Sequence, residues 1–444
     1  MTIVTRFAPS PTGRLHVGNI FTAIQNFLLA RKGGGRFLLR LDDTDLARSS
    51  EAYAQAIRDD LAWLGLTPDA EVRQSDRFAS YDAALEQLHA DGRAYRCYET
   101  PEELDLKRKV QLSRGLPPVY DRAALKLTDA DHARLEVDRI RPHWRFKLDD
   151  HGHVEWDDLI RGRSHIDPAS LSDPVVRRAD GGYLYMLPSV VDDIDLGVTH
   201  VVRGEDHVAN SGIQLQMFEA LGASPPRLAH FGLLTSVDGE LSKRLGAAGL
   251  DALRDAGIEP IAVVAMLARL GTADAVEPVT ALAPLIEHHD LARLGNGHPR
   301  FDPAELLQLN GRIVHQLAFD AVRDRLPAGM DEVAWGVIRP NLTTVADAAD
   351  WWQVVEGAVD AEIAADDRAY VAAARELLAG LPWQGDVWHA LIEALKARTG
   401  RKGKLLFLPL RLALTGRTHG PEMAALLPLI GRERALQRLG QAAA

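Results

Sequence analysis

A strand, a helix and a second strand follow one another within the first 41 residues, and this order constrains the fold more than any other feature of the chain. Residues 3–7 form a β-branched and aromatic run, and residues 18–31 carry apolar side chains at helical spacing. Glycines at 33–35 end the helix, and residues 36–41 form the second strand. This order predicts a parallel βαβ unit with a right-handed crossover, whose ligands bind beyond the carboxyl ends of the strands.

The pattern changes along the rest of the chain. Strand–helix alternation fades after about residue 80, resumes at 183–234 and becomes almost entirely helical after about residue 250. Residues 95–180 mix a charged helical stretch with short strand-like runs, which is typical of an insertion. We expect helices at 49–64, capped by Ser49 or Ser50, and at 210–221, a strand at 231–234 and a helix that starts at Pro260. The predicted fold is a Rossmann-type α/β domain split by an α+β insertion and followed by an all-α region.

Composition restricts the class of protein and of site. The 444 residues carry a formal net charge of −11, so a polyanion would have to meet local basic patches. The single cysteine, Cys97, excludes an intramolecular disulfide and a zinc site with several thiolates, whereas 16 histidines leave a histidine and carboxylate metal site open. There is no basic N-terminal segment followed by a long apolar one, and no apolar run long enough to cross a bilayer, so we expect a cytoplasmic protein.

The most specific local motif joins the first strand to its helix. Residues 7–13 read Phe-Ala-Pro-Ser-Pro-Thr-Gly, and residues 16–19 read His-Val-Gly-Asn. His16 thus lies beside the free N–H groups of the first helical turn, which favour a triphosphate, and Gly18 lets a flat ring approach the backbone. The alternative is a proline-rich turn with an incidental histidine.

A second motif follows a predicted strand, at residues 239–246, and reads Gly-Glu-Leu-Ser-Lys-Arg-Leu-Gly. Lys243 and Arg244 in this loop can close over phosphates and neutralise the charge that develops as pyrophosphate leaves. Alone, such a pair is more often a solvated turn. Together with the His16 loop on the other half of a split nucleotide-binding fold, the pair indicates a phosphate site.

These two motifs resemble the His-Ile-Gly-His and Lys-Met-Ser-Lys-Ser motifs of the class I aminoacyl-tRNA synthetases. The chain further resembles the bacterial glutamyl-tRNA synthetases, in order and in spacing, at residues 5–13, 40–45, 201–207 and 241–244. The sequence also resembles that family at residues 301–311 and 408–416. The resemblance therefore covers nearly the whole chain.

The resemblance implies an activity and a domain order. The activity is that of a glutamate–tRNA ligase, which converts L-glutamate to glutamyl-adenylate with ATP and transfers it to the 3′-terminal adenosine of tRNA(Glu). The Rossmann-type catalytic domain would comprise residues 1–80 and 181–235, split by an acceptor-end-binding insertion at 81–180. A lysine-motif loop and helical stem-contact domain would follow at 236–300, and an all-α anticodon-binding domain at 301–444.

Glutamate carries two carboxylates and an ammonium, so its pocket needs cations and a counter-anion. The resemblance assigns glutamate binding to Arg6, Ala8, Ser10, Asp42, Tyr185, Ser189 and Arg203. Asp42 stands where the family usually has glutamate and is implied as the partner of the substrate ammonium, and Ser189 stands where some members have asparagine. Taken singly, each arginine is more often a surface residue.

The resemblance assigns ATP binding to His16, Gly18, Asn19, Lys243 and Arg244, with His16 and Lys243 as the catalytic residues. The chain departs from the family here at three positions. Asn19 replaces the second histidine of its motif, Glu240 replaces the first lysine of the other motif, and Leu245 stands where many members have histidine.

The implied cofactor is ATP with Mg²⁺, and the implied partners are L-glutamate and tRNA(Glu), with no membrane and with a monomeric chain. Some members hold zinc in the insertion through cysteines, and since only Cys97 is present we expect no zinc and no other metal site. Asp45 and Glu205 are candidates for contacts near the tRNA 3′ end. Basic clusters at 107–109, 139–147, 161–163, 177–178 and 401–404 are singly more often solvated faces, but their regions favour tRNA contact.

Three other functions remain open at this point. A glutaminyl-tRNA synthetase is related in sequence, but its activation motifs and its β-rich anticodon region differ. A truncated paralogue that modifies a tRNA base would lack the helical last third. A non-catalytic tRNA-binding descendant would not need His16, Gly18, Lys243, Arg6 and Arg203 together.

The frame of residues 339–344 aligns Asn341 with an arginine that in some members reads the third anticodon base, where glutamate and glutamine tRNAs differ by C against G. A guanidinium is a fixed charged fork that rejects a base it does not fit, whereas a neutral amide both donates and accepts and excludes little. We therefore hypothesise that tRNA(Gln) is also charged, for later amidation. The alternative is that Asn341 only caps a helix after Pro340.

Overall fold

A computed structural model describes residues 2–236 and 249–444. The chain divides into two units, Met1–Arg254 with Val263–Pro303, and Asp255–Ala262 with Ala304–Ala444. The first unit contains the α/β elements, and the second is helical in the part described. Within the described residues, no helix combines the length and the apolar character that crossing a bilayer requires.

The βαβ unit forms where the sequence predicts it. β1 (Val4–Phe7) leads into α1 (Val17–Lys32), and β2 (Arg36–Leu41) pairs with β1 in parallel. A Cβ atom at Gly35 would overlap the main chain of Ile3. The tight turn into β2 therefore requires glycine, which explains the last of the three glycines in the sequence.

Two further elements extend this unit. α2 (Glu51–Trp63) leads to β3 (Ala70–Arg73), which pairs with β2 in parallel. Ser50 is the cap of α2, because its Oγ accepts a hydrogen bond from Tyr53 N at 3.3 Å. Of the two serines predicted as caps, the second therefore fills the role.

The insertion consists of two small antiparallel sheets and surrounding helices. The sheets are β4 (Ala94–Cys97), β5 (His143–Phe146) and β8 (Val175–Arg177), and the hairpin of β6 (Val154–Asp158) and β7 (Gly162–Ile166). The helices are α3 (Phe78–Ala90), α4 (Pro101–Ser113) and α5 (Asp129–Val137). This mixed α+β character is the one predicted for the region.

The second half of the catalytic fold resumes the parallel pattern. Its elements are α6 (Met186–Asp195), β9 (His200–Gly204), α7 (Val208–Ala220) and β10 (Arg227–Phe231). β10 pairs with β9 in parallel, and Thr199 N, just before β9, donates to Val4 O at 2.9 Å. The two halves of the split domain therefore contribute two parallel sheets, β3–β2–β1 and β9–β10, and this hydrogen bond joins the residue before β9 to β1.

The strand predicted at 231–234 is wrong in position, because β10 ends at Phe231. In the parallel register, Phe231 lies opposite Gly204, the last residue of β9. Beyond that point β9 offers no further hydrogen-bonding partner, so the apolar residues that follow leave the sheet. Two of them, Leu233 and Leu234, line the cavity described below.

The remaining elements are mostly helices. In the first unit, β11 (Thr235–Ser236) pairs in parallel with β12 (Arg300–Phe301). Helices span Leu250–Asp255, Pro260–Arg269 and Ala283–Glu287, and the helix start at Pro260, which belongs to the second unit, is as predicted. The later helices are Pro303–Val314, Phe319–Val322, Glu332–Ile338, Ala348–Glu356, Ala365–Gly380, Val387–Thr399, Lys404–Thr415, Met423–Ile430 and Arg432–Ala443. No strand occurs among the described residues from 304 to 444, which agrees with the predicted all-α region.

Candidate active site

A cavity of about 670 Å³ lies at the carboxyl ends of β1, β9 and β10, beside the N-terminus of α1. This is the edge of a parallel sheet at which the sequence predicts a ligand. Nine residues predicted from the sequence contribute to its lining: Arg6, Ala8, Ser10, His16, Gly18, Asn19, Asp42, Tyr185 and Arg203. The fold thus brings together residues from both halves of the split domain.

Arg203, at the end of β9, is a buried cation with neutral partners. Only 4% of the residue is exposed. Its Nη1 donates to Tyr185 Oη at 2.8 Å, and its Nη2 donates to Ser211 Oγ at 2.6 Å and to Gln214 Oε1 at 2.7 Å. Burial lowers the pKa of Arg203, and among the described residues no carboxylate forms an ion pair with it. A buried guanidinium in this state favours an anion in the cavity.

Arg6, in β1, is the second buried cation of the lining. Its Nε donates to Asp193 Oδ1 at 3.1 Å, and its Nη2 donates to Asp193 Oδ2 at 3.4 Å. Asp193 belongs to α6, so this ion pair joins the two halves of the domain. The Nη1 group of Arg6 has no protein acceptor among the described residues and remains free to donate.

Asp42 lines the cavity, but its carboxylate already has a partner. Arg40, which is fully buried, donates from Nε to Asp42 Oδ1 at 2.7 Å and from Nη2 to Asp42 Oδ2 at 3.1 Å. Burial raises the pKa of Asp42, although Arg40 acts in the opposite direction. Arg40 also donates to Asp193 Oδ1 at 2.8 Å. Sequence reasoning did not single out Arg40, although Arg40 opens the block at 40–45 that carried part of the family resemblance.

Ser189 does not line the cavity. It lies in α6 and is fully buried, and its Oγ accepts a hydrogen bond from Arg40 Nη2 at 3.0 Å. The predicted direct contact of Ser189 with glutamate therefore has no support from the cavity lining. Its hydroxyl supports Arg40, which in turn holds Asp42.

His16 is the N-cap residue of α1. Its Nδ1 accepts a hydrogen bond from Gly18 N at 3.1 Å. Burial lowers the pKa of the imidazole, so the ring is neutral at neutral pH. Because Nδ1 is the acceptor, the single ring proton lies on Nε2. His16 therefore offers an N–H donor at the positive end of the helix dipole.

Asn19 and Gly18 both serve this cap. Asn19 Oδ1 accepts a hydrogen bond from His16 N at 3.1 Å, which completes a capping box. A Cβ atom at Gly18 would lie 3.0 Å from His16 Cε1. Asparagine in place of the family's second histidine thus has a structural role, and glycine at 18 leaves room for the imidazole.

The cavity also includes residues that sequence reasoning did not single out. Asp206 and His207 follow β9, and Phe301 contributes an aromatic surface. Burial, together with the charge of Arg203, lowers the pKa of His207 to about 4. Asp206 and His207 belong to the block at 201–207 that carried part of the family resemblance, and this block was the signal that could have identified them.

The residues predicted to meet the tRNA 3′ end lie outside this cavity. Glu205 Oε2 accepts from Arg161 Nη1 at 2.8 Å, and Glu205 Oε1 lies 3.0 Å from His298 Nε2. Asp45 follows β2 in a turn, in which its carbonyl accepts from Ser49 N at 3.0 Å. Both assignments stay predictions.

Lys243 and Arg244 belong to residues 237–248, which lie outside the described part of the chain. Glu240 and Leu245 lie there as well. The roles assigned to these residues therefore depend on the sequence alone.

Asn341 lies in the second unit and borders an open cavity of about 570 Å³. It is the last residue of a 3₁₀ turn, Arg339–Asn341, whose N-cap is Ile338, and the next turn is capped by Thr344. The alternative, that Asn341 only caps a helix, is therefore wrong. The same cavity is bordered by Trp351, Gly416, Arg417, Thr418, His419 and Gly420.

Two groups of side chains in the insertion have the composition of a metal site, and one of them, Asp149, Asp150 and His151, is exposed. Cys97, Glu99 and His143 offer ligand atoms that lie within 4.8 Å of one another. However, Tyr120 Oη donates to Glu99 Oε1 at 2.7 Å, and the Arg145 guanidinium lies 4.1 Å from the centre of the Tyr120 ring. Burial raises the pKa of the Cys97 thiol to about 12. The positive charge of Arg145 acts on both Cys97 and His143, and a divalent cation at this group would be repelled by it.

Comparisons with known proteins agree with this geometry. Residues 2–307 match the family described as tRNA synthetases class I (E and Q), catalytic domain, and residues 325–443 match an anticodon binding domain. The chain is 63% identical over 441 residues to glutamate–tRNA ligase 1 of Rhizorhabdus wittichii, which covers 99% of this chain and 100% of the relative. It is 59% identical over 443 residues to glutamate–tRNA ligase 2 of Sphingopyxis alaskensis, with 100% and 99% coverage.

Solved structures give the same result. A crystal structure of a glutamate tRNA ligase from Elizabethkingia meningosepticum, in complex with its amino acid, has a TM-score of 0.88 and 26% identity and covers 100% of this chain and 99% of the other. The glutamate-tRNA synthetase of Elizabethkingia anophelis has a TM-score of 0.85 and 26% identity, with 100% of both chains covered. The chain therefore belongs to the class I tRNA synthetases and, within them, to the glutamate–tRNA ligases.

Proposed function

We propose that this chain activates L-glutamate with ATP in the cavity at the end of β1, β9 and β10, and then transfers it to the 3′-terminal adenosine of tRNA(Glu). The observation that carries the proposal is the buried guanidinium of Arg203, which lacks a carboxylate partner among the described residues. A carboxylate of glutamate supplies the missing anion. Arg6 Nη1 and Asp42, in the same lining, supply a second donor and an acceptor for the ammonium.

ATP binds in the same cavity, with its phosphates at the N-terminus of α1. The support for this is the neutral imidazole of His16, whose Nε2–H is free to donate while Nδ1 is engaged with Gly18 N. The N–H groups of the first helical turn add positive potential there. Members of the family use ATP, generally with Mg²⁺, which neutralises phosphate charge. Lys243 and Arg244 retain the phosphate-binding roles that the resemblance implies.

The reaction requires positioning rather than a protein nucleophile. A carboxylate oxygen of glutamate attacks the α-phosphorus of ATP, the bond to the bridging oxygen breaks, and pyrophosphate leaves with that electron pair. The 2′-hydroxyl of the terminal adenosine then attacks the carbonyl carbon and loses its proton, and AMP leaves. His16 stabilises the charge that develops on the phosphates.

Two assays test the proposal. ATP–pyrophosphate exchange is measured with glutamate, with glutamine and with each of them plus tRNA(Glu), and aminoacylation is measured with separate glutamate and glutamine tRNAs. We expect glutamate-dependent exchange and charging of tRNA(Glu). Exchange that depends on glutamine and not on glutamate would contradict the proposal.

Replacing Gly18 with alanine should separate activity from stability. The added Cβ would crowd the His16 ring, since it would lie 3.0 Å from Cε1. We expect the exchange rate to fall roughly tenfold, because a small displacement of a catalytic group has a large effect on rate. The melting temperature should not fall, because alanine is favoured over glycine in a helix by about 0.5 kcal/mol or more. A variant with wild-type exchange would show that the imidazole has room to shift.

We propose further that the chain charges tRNA(Gln) as well as tRNA(Glu). The supporting observation is that Asn341 presents a short neutral amide at the edge of an open cavity, next to Arg417. The Arg417 guanidinium stacks on the Trp351 ring at 4.6 Å, a surface on which a base can also stack. An amide at this position accepts either C or G at the third anticodon base.

Replacing Asn341 with arginine should restore discrimination. The bidentate guanidinium should favour one base at the third anticodon position, so we expect the ratio of tRNA(Glu) to tRNA(Gln) charging to rise about tenfold. The measurement is kcat/KM for aminoacylation with each tRNA. Gln437→Arg is the control, because it adds the same charge at an exposed position of the same unit. If the wild-type protein leaves tRNA(Gln) uncharged at matched concentrations, the hypothesis of dual charging is wrong.

A further inference from the structure

We infer that Asp158 and His230 are positioning residues that orient Arg203 and, through it, a carboxylate of glutamate. The inference depends on the proposed function, because it concerns the same pocket. Both side chains are buried, and neither lines the cavity. They therefore act on the substrate only through Arg203.

His230 lies directly beside Arg203. The two residues are opposite each other in the parallel pair of β9 and β10. His230 Nε2 lies 3.4 Å from Arg203 Nε and 2.8 Å from Ser211 Oγ. Ser211 Oγ in turn accepts a hydrogen bond from Arg203 Nη2 at 2.6 Å. Nε2 therefore faces a guanidinium N–H and a hydroxyl, and it must act as an acceptor.

Asp158 determines which ring nitrogen of His230 carries the proton. Its Oδ2 lies 2.5 Å from His230 Nδ1, and its Oδ1 accepts from the main-chain N–H groups of His230, Ile160 and Arg161 at 3.0–3.1 Å. Burial opposes ionisation, but these hydrogen bonds outweigh it and lower the pKa of Asp158 to about 2. An ionised carboxylate only accepts, so the proton of the imidazole lies on Nδ1.

The hydrogen bonds that link Arg203 through His230 to Asp158 then all run in one direction, from donor to acceptor. Arg203 donates to Ser211 Oγ and to His230 Nε2, and His230 Nδ1 donates to Asp158, while the Ser211 hydroxyl has His207 O as an acceptor at 3.2 Å. The opposite tautomer would place an N–H on Nε2, against the Nε–H of Arg203. Since that arrangement leaves two donors facing each other, it would displace the guanidinium from its position beside the cavity.

Asp158, which sets the tautomer of His230, belongs to the insertion. Asp158 is the last residue of β6, and the next residue, Leu159, donates from its N to Leu228 O in β10 at 2.9 Å. The hairpin is thus hydrogen-bonded to the strand that carries His230. The glutamate pocket of this chain therefore depends on a side chain outside the parallel βα units.

Asp158→Asn tests the inference. The amide oxygen can keep the three main-chain hydrogen bonds of Oδ1, whereas the amide nitrogen faces His230 Nδ1 and forces its proton to Nε2, against Arg203. We expect the KM for glutamate in ATP–pyrophosphate exchange to rise by about 10-fold to 100-fold, the effect of disturbing a hydrogen bond to a charged group. The KM for ATP should stay near the wild-type value. Asp157→Asn, at the exposed preceding residue, is the matched control and should leave both constants unchanged.

Two substitutions of His230 separate positioning from packing. His230→Gln places an amide oxygen near the position of Nε2 and keeps an acceptor for Arg203, whereas His230→Asn keeps only a donor toward Asp158. We expect glutamine to retain a lower KM for glutamate than asparagine does. Equal effects of the two would overturn the inference, and this pair decides the matter if Asp158→Asn fails to fold.

Failure of the inference is distinguishable from failure of the proposed function. If the wild-type protein with tRNA(Glu) shows no glutamate-dependent exchange, the proposed function is wrong, and the inference with it. If the wild-type protein is active and Asp158→Asn leaves the KM for glutamate unchanged, or raises the KM values for glutamate and ATP equally, the inference alone is overturned.

Discussion

Replacing Arg203 with alanine is expected to raise the KM for glutamate by about 100-fold, because truncating one partner of a buried charge pair costs about 2–5 kcal/mol. The KM for ATP should change little, since Arg203 lies in β9 whereas we propose that the phosphates bind at the N-terminus of α1. The measurement is ATP–pyrophosphate exchange at varied glutamate and at varied ATP. The substrate whose KM rises is the one that the guanidinium binds.

The stability of the Arg203→Ala protein provides a second readout. In the absence of substrate, Arg203 is a buried cation without a carboxylate partner among the described residues, and such a charge does not stabilise a fold. We therefore expect the melting temperature without ligand to stay close to that of the wild type. Arg227→Ala, at the exposed first residue of β10, is the control for loss of charge. Unchanged glutamate dependence would remove Arg203 from the pocket.

Replacing His16 with alanine is expected to lower kcat for adenylate formation by about 100-fold to 1,000-fold, the effect of removing one donor that stabilises developing charge. The KM for glutamate should stay near that of the wild type, because His16 forms the cap of α1 and has no hydrogen bond to Arg203 or Arg6. Rapid-quench measurement of adenylate formation tests this directly. If the substitution raises KM and leaves kcat unchanged, the imidazole only helps to bind substrate.

The cap and the catalytic donor can be separated at the same position. His16→Ala removes the acceptor for Gly18 N and should cost about 1 kcal/mol of stability. His16→Ser restores a capping oxygen but has no N–H that could reach the phosphates. We therefore expect serine to recover the melting temperature and not the rate. If serine recovers the rate as well, His16 acts only as a cap.

The local parts of this architecture could be predicted from the sequence, because their causes are local. Periodicity located β1, α1 and β2 to within a residue, since burial of one face leaves a repeat in the sequence. The glycines after α1 were readable for the same reason, because a turn depends on its own residues. His16 could be predicted as a residue at the start of a helix beside a proline-rich loop, and the sequence motif around it then indicated the family.

The resemblance also grouped Arg6, Arg203 and Asp42 before the structure did, although it could not state their partners. The local sequence pattern gave a wrong strand end where a neighbouring strand determines that end. β10 ends at Phe231 because β9 ends at Gly204, and a hydrophobic run cannot report where its neighbour stops. The alternative of a cap at Asn341 relied on the preference of asparagine for caps, whereas Asn341 is the last residue of the turn at 339–341 and Ile338 holds its N-cap position.

Only the tertiary structure decided how the charges of the pocket are arranged. Arg40 reaches Ser189, 149 positions away, and Asp158 reaches His230, 72 positions away. Hydrogen bonds between residues so far apart produce no periodicity and no motif in the sequence, because the residues around each partner follow only the pattern of their own helix or strand. The physical reason is that a buried charge must find its partner wherever the fold brings one within about 3 Å. Through the resemblance, the sequence by itself therefore identified nine residues that line the cavity, but it included Ser189, which does not line it, and missed Asp206, His207 and Phe301. The packing of the two halves and the insertion determined which residues meet there and which of them keep a free charge for a substrate.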